Sequence, residues 1–343
     1  MSTARGRYPV GKLPAAKLEA LLRACPIPKG SRVVVGPRYG EDAAVIDVGP
    51  KYLVAKSDPI TFTAERIGWY AVNVNANDIA TLGARPRWFL ATLLLPEKSS
   101  TGPLAERIFA DVLRACHALG VTLCGGHTEI TAGLERPIVV GQMLGEVEKT
   151  KLVRKECQRP GDLVVLTKGI ALEGTAILAR EKAAVLRRKF GAQVVKRAQG
   201  LLFDPGISVV QEAMLAVRTG EGEIHALHDP TEGGLLSGLY ELVRAGNVGI
   251  CLWKDRVPIL PETQLFSRYF GFDPFALIAS GALLAVISPR STAKVLQSFA
   301  RKRIAATIIG EILPKKEGLL VVDGARRRAL SPPRRDEIAR LLA

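Results

Sequence analysis

Acidic side chains recur in this chain at the points where apolar segments begin or end. Mg²⁺ bound to a polyphosphate needs a few hard oxygen ligands supplied by different structural elements. The pattern therefore predicts a fold that brings several strand and helix ends together around a divalent cation, as in an enzyme. The five clusters are Gly40-Glu41-Asp42, Ser57-Asp58-Pro59, Asn77-Asp78, Gly125-Gly126-His127-Thr128-Glu129 and His228-Asp229-Pro230-Thr231-Glu232-Gly233-Gly234.

The order of apolar segments predicts an α/β protein with two domains, which the 343 residues easily support. Residues 1–35 form an arm and a short helix, and 36–150 form a mixed sheet with helices. A basic stretch at 149–161 is interpreted as a linker, and 160–343 as a second α/β domain. The predicted elements of the first domain are strands 43–47, 52–55, 87–95, 121–124 and 137–146 and helices 65–82 and 104–119.

Three aspartates of the first domain are candidate metal ligands. Asp42 opens a strand, Asp58 is expected just after one, and Asp78 lies near the end of a helix. Any one of them alone is explained as a cap or turn residue. Three together beside apolar segments would repel one another, and a divalent cation removes that penalty. Glu129 is a further candidate contact to the metal.

A glycine pair follows the predicted strand 121–124. Gly125 and Gly126 would allow the backbone to approach a phosphate closely or to adopt a positive φ. His127 is interpreted as a ligand-orienting group, as a catalytic base or as a polar residue with ordinary hydrogen bonds, and these alternatives stay open. Thr128 lies beside it as a candidate cofactor contact.

The second half contributes a strand-to-helix turn at 228–234. Asp229, at a strand end, would hold a metal or position a nucleophile. Thr231 or Glu232 would cap the following helix, whose N-terminus could bind phosphate. A capped turn without a catalytic role is the alternative. Lys168 follows the predicted strand 163–167 and would clamp a phosphate, although lysine is also common on exposed loops.

Composition and charge exclude several other classes. The net charge is +15, but the basic residues are scattered and carry no interleaved aromatic residues, so a nucleic-acid groove is not expected. No apolar stretch reaches the length of a membrane span and no signal peptide is visible. The five cysteines are odd in number and lack a Cys-x-x-Cys pair. Buried free thiols in a reducing cytoplasm are expected.

These motifs, in this order, resemble those of one superfamily, and the resemblance runs from about Gly36 to the C-terminus. The superfamily contains aminoimidazole ribonucleotide (AIR) synthetase, selenophosphate synthetase, thiamine monophosphate kinase and the hydrogenase-maturation protein HypE. The matching segments are Gly40-Glu41-Asp42-Ala43-Ala44-Val45, Ser57-Asp58-Pro59-Ile60-Thr61, Asn77-Asp78-Ile79-Ala80-Thr81-Leu82-Gly83-Ala84, Gly125-Gly126-His127-Thr128 and the Asp-x-Thr-x-Gly-Gly pattern at 229–234. The set is highly specific, whereas any single member is not.

The resemblance implies a PurM-like two-domain fold, with an N-terminal domain that dimerises through a shared β-barrel and a C-terminal α/β domain. It implies ATP and Mg²⁺ between them, with Asp42, Asp58 and Asp78 at the metals and Asp229 facing the transfer site. The expected contacts to ATP are Lys168, Gly125, Gly126, Asn77, Thr128 and Thr231, with His127 near the phosphates. The expected activity is ATP-dependent phosphorylation or activation of an oxygen nucleophile on a small substrate.

Within the superfamily the stretch 58–97 is most similar to HypE-like chains. Those carry a modified thiol on a C-terminal cysteine, whereas the last cysteine here is Cys251. Glu41 and His127 also replace acidic residues found in relatives. The alternative prediction is therefore a non-catalytic maturation factor that keeps nucleotide binding and acts with a maturation-protein partner. A cytoplasmic homodimer without membrane contact is expected under both.

Overall fold

The computed structural model describes residues 8, 10–329, 331–333 and 335–342. The first half of the chain forms a six-stranded sheet with three helices. Its strands are β1 (Val33–Val35), β2 (Ala44–Asp47), β3 (Lys51–Ile60), β4 (Arg85–Pro96), β5 (Thr122–Thr131) and β6 (Ile138–Glu148), and its helices are α1 (Ala15–Arg23), α2 (Ile67–Thr81) and α3 (Gly102–Leu119). The strand order is β1-β2-β3-β6-β4-β5, antiparallel except for the pair β4 and β5.

The second half forms a seven-stranded sheet with eight helices along the described residues. Its strands are β7 (Leu163–Thr167), β8 (Ile224–His228), β9 (Gly249–Trp253), β10 (Leu284–Ile287), β11 (Ala306–Leu313), β12 (Leu319–Asp323) and β13 (Arg326–Ala329). Its helices are α4 (Leu172–Glu181), α5 (Ala183–Phe190), α6 (Ala192–Gly200), α7 (Val210–Gly220), α8 (Gly234–Gly246), α9 (Pro261–Phe270), α10 (Pro289–Arg301) and α11 (Glu337–Leu341). The strand order is β13-β12-β9-β11-β7-β10-β8. Two sheets with packed helices confirm the mixed α/β fold that the sequence predicts.

Helix α2 joins the two halves. All its residues except Trp69 are buried, including the polar Asn73, Asn75 and Asn77. It packs on β3, β6 and α3 of the first half and on α7 and β8 of the second. Tyr70, Ile79 and Met143 belong to the core around it. The polar residues near its C-terminus are thereby fixed at the boundary between the two sheets.

Two local expectations were wrong. β3 continues to Ile60 because β6 pairs with it along its whole length, so Asp58 lies inside the strand. β5 includes the segment 125–129 and is an exposed sheet edge, whereas a buried strand followed by a turn was expected. The segment predicted as a linker lies between the two sheets and contains two short 3₁₀ turns, but it is not simply exposed, since Lys155 in it is only 2% exposed. Strand pairing and packing, which one segment of sequence does not show, decide these cases.

The predictions about the cysteines and about membrane spans can be compared with the described residues. All five cysteines are free, but only Cys116 and Cys251 are buried, so the expectation of buried thiols was wrong for the other three. One helical run, Ala192–Gly220, has the length and composition of a membrane span. Non-helical backbone at Asp204 interrupts it, and half of its apolar window is buried in the fold, as in a core helix.

Candidate functional site

A cavity of about 1070 Å³ is lined by residues from both halves of the chain. Four of the predicted aspartates lie on its wall. Asp42 precedes β2, Asp58 is on β3, Asp78 is in the last turn of α2, and Asp229 follows β8 directly. Because β2 and β3 are neighbours and α2 contacts both β3 and β8, the fold brings these side chains together.

Gly40 fixes the position of the Asp42 segment. Its φ is +85°, and a Cβ atom there would lie 2.7 Å from the backbone oxygen of Glu241 on α8. Only glycine tolerates both the conformation and the close approach. The segment before β2 can therefore lie directly against the second half of the chain.

Asp42 is paired with two buried cationic side chains. Its Oδ1 lies 2.9 Å from Nδ1 of His228, and its Oδ2 lies 2.8 Å from Nζ of Lys155. Burial by itself opposes the charge on Asp42, but His228 and Lys155 hold the pKa of this carboxyl well below its usual range. Asp42 is thus a carboxylate whose charge is already balanced by the protein.

His228 lies between two carboxylates. Its Nε2 is 3.0 Å from Oε2 of Glu241, on the side opposite Asp42. Burial alone would lower the pKa of His228, and Lys155 also opposes protonation, but Asp42 and Glu241 raise it overall. A protonated imidazole donates from both ring nitrogens, which satisfies both acceptors at once.

Asp78 and Asp58 share one lysine. Nζ of Lys56 lies 3.1 Å from Oδ2 of Asp78 and 3.6 Å from Oδ2 of Asp58. Burial raises the pKa of Asp78 to about 7, against the opposing effect of Lys56. This part of the cavity contains more carboxylates than lysines, so it can accept further positive charge.

Asp229 is 1% exposed, and neither of its carboxylate oxygens has a hydrogen-bond partner among the described residues. Burial, together with the nearby Asp78 and Asp42, raises the pKa of Asp229 well above its usual range. A buried carboxyl group without partners is costly unless a cation or a proton donor reaches it. Ligand atoms of Asp42, His228 and Asp229 lie within 4.8 Å of one another, a spacing that can hold a metal ion, and Asp78 is close enough to act on Asp229.

Residues of the turn 229–234 line a second side of the cavity. Nζ of Lys12 donates to Oγ1 of Thr231 at 3.2 Å and lies 3.2 Å from Oε1 of Glu241. The expected cap by Thr231 or Glu232 was wrong, because α8 begins without a side-chain cap. The backbone N–H of Gly233 donates to Oδ2 of Asp336 instead.

The motif on β5 lies apart from these groups. Gly125, Gly126, His127, Thr128 and Glu129 are all exposed and do not line the cavity. Nε2 of His127 lies 3.2 Å from Oε2 of Glu129. A Cβ atom on Gly126 would lie 2.0 Å from the carbonyl oxygen of Ala91, so packing against β4 already requires this glycine.

Lys168 and Asn77 are occupied by contacts within the protein. Nζ of Lys168 lies 2.7 Å from Oε1 of Glu212 and donates to the carbonyl oxygen of Ser208 at 2.5 Å. Nδ2 of Asn77 donates to the carbonyl oxygen of Ile207 at 2.9 Å. Neither lines the cavity. In this arrangement they hold the segment 206–209 and do not present a free group to phosphate.

Two protein-family models match this chain and together cover most of it. The AIR synthase related protein N-terminal domain matches residues 40–147, and the AIR synthase related protein C-terminal domain matches residues 159–323. The chain belongs to the AIR synthase-related family. This confirms the resemblance that the motifs indicate.

Relatives of this AIR synthase-related chain are named as a hydrogenase expression/formation protein and as a carbamoyl dehydratase. A protein of Methanocaldococcus jannaschii with a provisional name as a hydrogenase expression/formation protein is 26% identical over 315 residues, 90% of each chain. The carbamoyl dehydratase HypE of Rhizobium leguminosarum bv. viciae is 26% identical over 80% of this chain and 78% of its own.

Solved structures share the fold. The hydrogenase maturation protein HypE in complex with ATP has a TM-score of 0.70 and 23% identity, and covers 97% of this chain and 98% of its own. HypE in the HypE–HypF complex has a TM-score of 0.71 and 22% identity, over 86% and 94% of the two chains.

Several residues of the AIR synthase-related site were not singled out from the sequence. Lys56 directly precedes the Ser57-Asp58 motif and His228 is the first residue of the cluster at 228–234, so a signal for both was available. Lys155, Glu241 and Lys12 carry no such signal. Glu241 and Lys12 line the cavity from a helix and the N-terminal arm, and Lys155, from the predicted linker, contacts Asp42 on its wall.

Proposed function

We propose that this protein is a Mg²⁺-dependent, ATP-using enzyme that activates an oxygen nucleophile on a small substrate. The observation that carries the proposal is Asp229, a buried carboxyl group without hydrogen-bond partners among the described residues, near Asp78 and Asp42. The cavity volume of about 1070 Å³ is large enough for a nucleotide together with a small acceptor.

The carboxylate cluster would hold the cation, which when bound neutralises the charge of the phosphates. The protein's own part is to position groups and to exclude water. Asp229 would face the transfer site, and Thr231 with the adjacent backbone would lie near the phosphates. The acceptor oxygen would form a new P–O bond to a phosphate of ATP as the bond to the leaving phosphate breaks. The ATP complex of HypE and the carbamoyl dehydratase name of a relative support this reading.

The motif on β5 is proposed to act through a homodimer. β5 is an edge strand whose residues are almost all exposed, and Ile130 on it is 58% exposed. An exposed edge of this kind is a template for pairing with another chain. A second copy on this edge would bring Gly125, Gly126, His127, Thr128 and Glu129 next to another subunit, where contact with its nucleotide becomes feasible.

Light scattering tests the homodimer directly. The wild-type chain should elute with the mass of two copies, and Ile130→Lys should shift it to one copy. Val185→Lys is the matched control, because Val185 is 40% exposed on α5 of the second half. A monomeric wild type, or an equal effect of both substitutions, would rule out the β5 interface.

A maturation partner is a second proposed contact of this chain. A structural neighbour is the HypE–HypF complex, and two relatives are named as a hydrogenase expression/formation protein and as HypE. A partner of the HypF type is therefore the first to test, by co-purification with and without ATP.

Calorimetry tests the central proposal. We expect the wild-type chain to bind the ATP analogue AMP-PNP only when Mg²⁺ is present, and Asp229→Asn to lose that binding. Ser237→Ala, at a lining position that carries no charge, is the control. Binding that is independent of Mg²⁺, or unchanged in Asp229→Asn, would contradict it. A screen of small hydroxy and carboxy acceptors for ATP consumption would then define the substrate.

A further inference from the structure

A second cavity lies entirely within the second half of the chain, apart from the candidate site. Its volume is about 370 Å³, near the lower end of the range of roughly 300–1,000 Å³ that ligand pockets span. Its walls come from α8, β12, β13, the end of β9 with the turn that follows it, and the segment 273–275. The two cavities have no lining residue in common.

The floor of the second cavity is apolar. Leu252 and Val321 are register partners on the parallel strands β9 and β12. Leu236 from α8 and Phe275 belong to the same hydrophobic cluster, and all four residues are at most 7% exposed. An apolar group of a ligand that packs on this floor would leave water for a surface that is already formed.

Arg328 brings to this cavity a cation that the protein does not neutralise. It is the register partner of Val321 on β12, so the two side chains lie on the same face of the sheet. It is exposed and makes no hydrogen bond or ion pair with any residue that the structure describes. Lys254, the other cation of the cavity, lies 2.6 Å from Oδ2 of Asp323. Arg328 is therefore the group available to a carboxylate, which guanidinium groups bind through two parallel hydrogen bonds.

Asp273 brings an acceptor of the opposite charge. Its Oδ1 accepts a hydrogen bond from the backbone N–H of Phe275 at 3.0 Å, whereas its Oδ2 has no partner in the described part of the chain. No ion pair joins Asp273 to Arg328 across the described residues. Because both groups line a cavity of only about 370 Å³, one small molecule can reach both of them.

We propose that the second cavity binds an α-amino acid with an apolar side chain, such as leucine. The carboxylate of the amino acid pairs with Arg328, its ammonium group with Oδ2 of Asp273, and its side chain packs on the apolar floor. The inference goes beyond the proposed ATP-dependent function and does not rest on it. Helix α8 contributes Leu236 to the second cavity and Ser237 and Glu241 to the first, so the bound amino acid would contact a helix of the candidate site without entering that site.

Isothermal titration calorimetry of the full-length chain tests the inference with L-leucine as the probe. We expect saturable binding of one leucine per chain. Isocaproate lacks the ammonium group and isoamylamine lacks the carboxylate, so each should bind at least about tenfold more weakly than leucine. Glycine keeps both charges but has no apolar side chain, and it should also bind at least about tenfold more weakly.

Two variants assign the charged groups of the ligand to their partners. Arg328→Met should weaken leucine binding at least about tenfold and leave isoamylamine binding within about twofold of the wild type. Asp273→Asn keeps an oxygen for the Phe275 N–H, and it should weaken leucine binding by a similar factor without weakening isocaproate binding. Arg326→Met is the matched control, because Arg326 is an exposed arginine of the same strand that does not line the cavity. Circular dichroism and urea melts establish that each variant is folded.

The inference is overturned if leucine, isoleucine and phenylalanine show no saturable binding up to their solubility. Equal losses of leucine affinity in Arg328→Met and Arg326→Met would also overturn it, since only the overall charge would then matter. Asp229→Asn, in the first cavity, should keep the leucine affinity within about twofold of the wild type while it loses AMP-PNP. A loss of leucine binding in that variant would place leucine in the first cavity and contradict the inference, whereas a failure of AMP-PNP binding alone would contradict only the proposed function.

Discussion

The side-chain oxygen of Asn77 accepts a hydrogen bond from the backbone N–H of Val209 at 2.8 Å, across 132 positions of sequence. Nδ2 of the same amide donates to the carbonyl oxygen of Ile207. One buried side chain on α2 thereby satisfies two backbone groups of the second half of the chain. The boundary between the two sheets is fixed by this amide as well as by apolar packing.

Asn77→Ala should lower the free energy of unfolding by about 2–3 kcal/mol, because it leaves a buried N–H and a buried carbonyl without partners. Urea denaturation measures the change. Asn73→Ala is the matched control: Asn73 is on the same helix, and among the described residues its amide bonds only to the Trp69 carbonyl of that helix. A stable Asn77→Ala protein with weakened AMP-PNP binding would show that the residue contacts the nucleotide instead.

Lys168→Met should cost about 3–5 kcal/mol of stability, because it leaves the buried carboxylate of Glu212 without its partner. The double change Lys168→Met with Glu212→Gln should recover part of that loss. Lys294→Met removes a lysine from an exposed pair with Glu221 and should cost less than about 1 kcal/mol. If Lys168→Met unfolds like the wild type but loses nucleotide affinity, the phosphate-clamp prediction is right and the structural role is not.

The two glycines of the β5 motif should respond differently to alanine. Gly126→Ala should lose about 1–3 kcal/mol, since its φ of +149° and its contact with the Ala91 carbonyl both exclude a side chain. Gly125→Ala should change stability by less than about 1 kcal/mol, because an added Cβ would have one described atom within 4 Å, on the Leu90 side chain at 3.6 Å. Thermal melts measure both. An AMP-PNP affinity that falls in the well-folded Gly125→Ala dimer would support a phosphate role for this backbone, whereas equal losses of stability would contradict the packing argument.

We expect the buried Glu173 to make the stability of the folded protein depend on pH. It is buried, accepts a hydrogen bond from the Ser280 N–H at 3.2 Å, and burial raises its pKa to about 7. The folded protein therefore binds a proton at Glu173 that the unfolded chain releases above about pH 4.3. The contribution of this proton to the free energy of unfolding is fully present below about pH 4.3. It is lost as the pH rises to about 7, and the total loss is on the order of 3 kcal/mol.

The difference between wild type and Glu173→Gln, measured by urea melts from pH 4.5 to 8, isolates this contribution. Glutamine cannot titrate, so the variant should gain stability relative to the wild type as the pH rises. Two parallel curves would show that Glu173 does not titrate in this range. Glu221→Gln, at an exposed position after α7, controls for the general effect of replacing a glutamate by glutamine.

Much of the candidate site was predictable because its residues lie next to local signals. Asp42, Asp58, Asp78 and Asp229 each adjoin an apolar segment, and all four line one cavity. Asn77 and Lys168 carry similar signals but serve contacts within the protein. A polar residue at the end of a helix or strand can face either a cavity or a neighbouring segment of the chain. The local sequence does not distinguish these two situations.

Apolar periodicity and short motifs are local properties of the chain, so the family, the α/β class and the positions of the acidic residues could be predicted without coordinates. The charge balance at the site could not, because it depends on residues that meet only in the folded protein. Lys155 comes from a segment that was interpreted as a linker, and Lys12 from the arm, yet both reach carboxylates more than 100 positions away. Electrostatic energy depends on distances in space, and these are set by how the two sheets pack around α2.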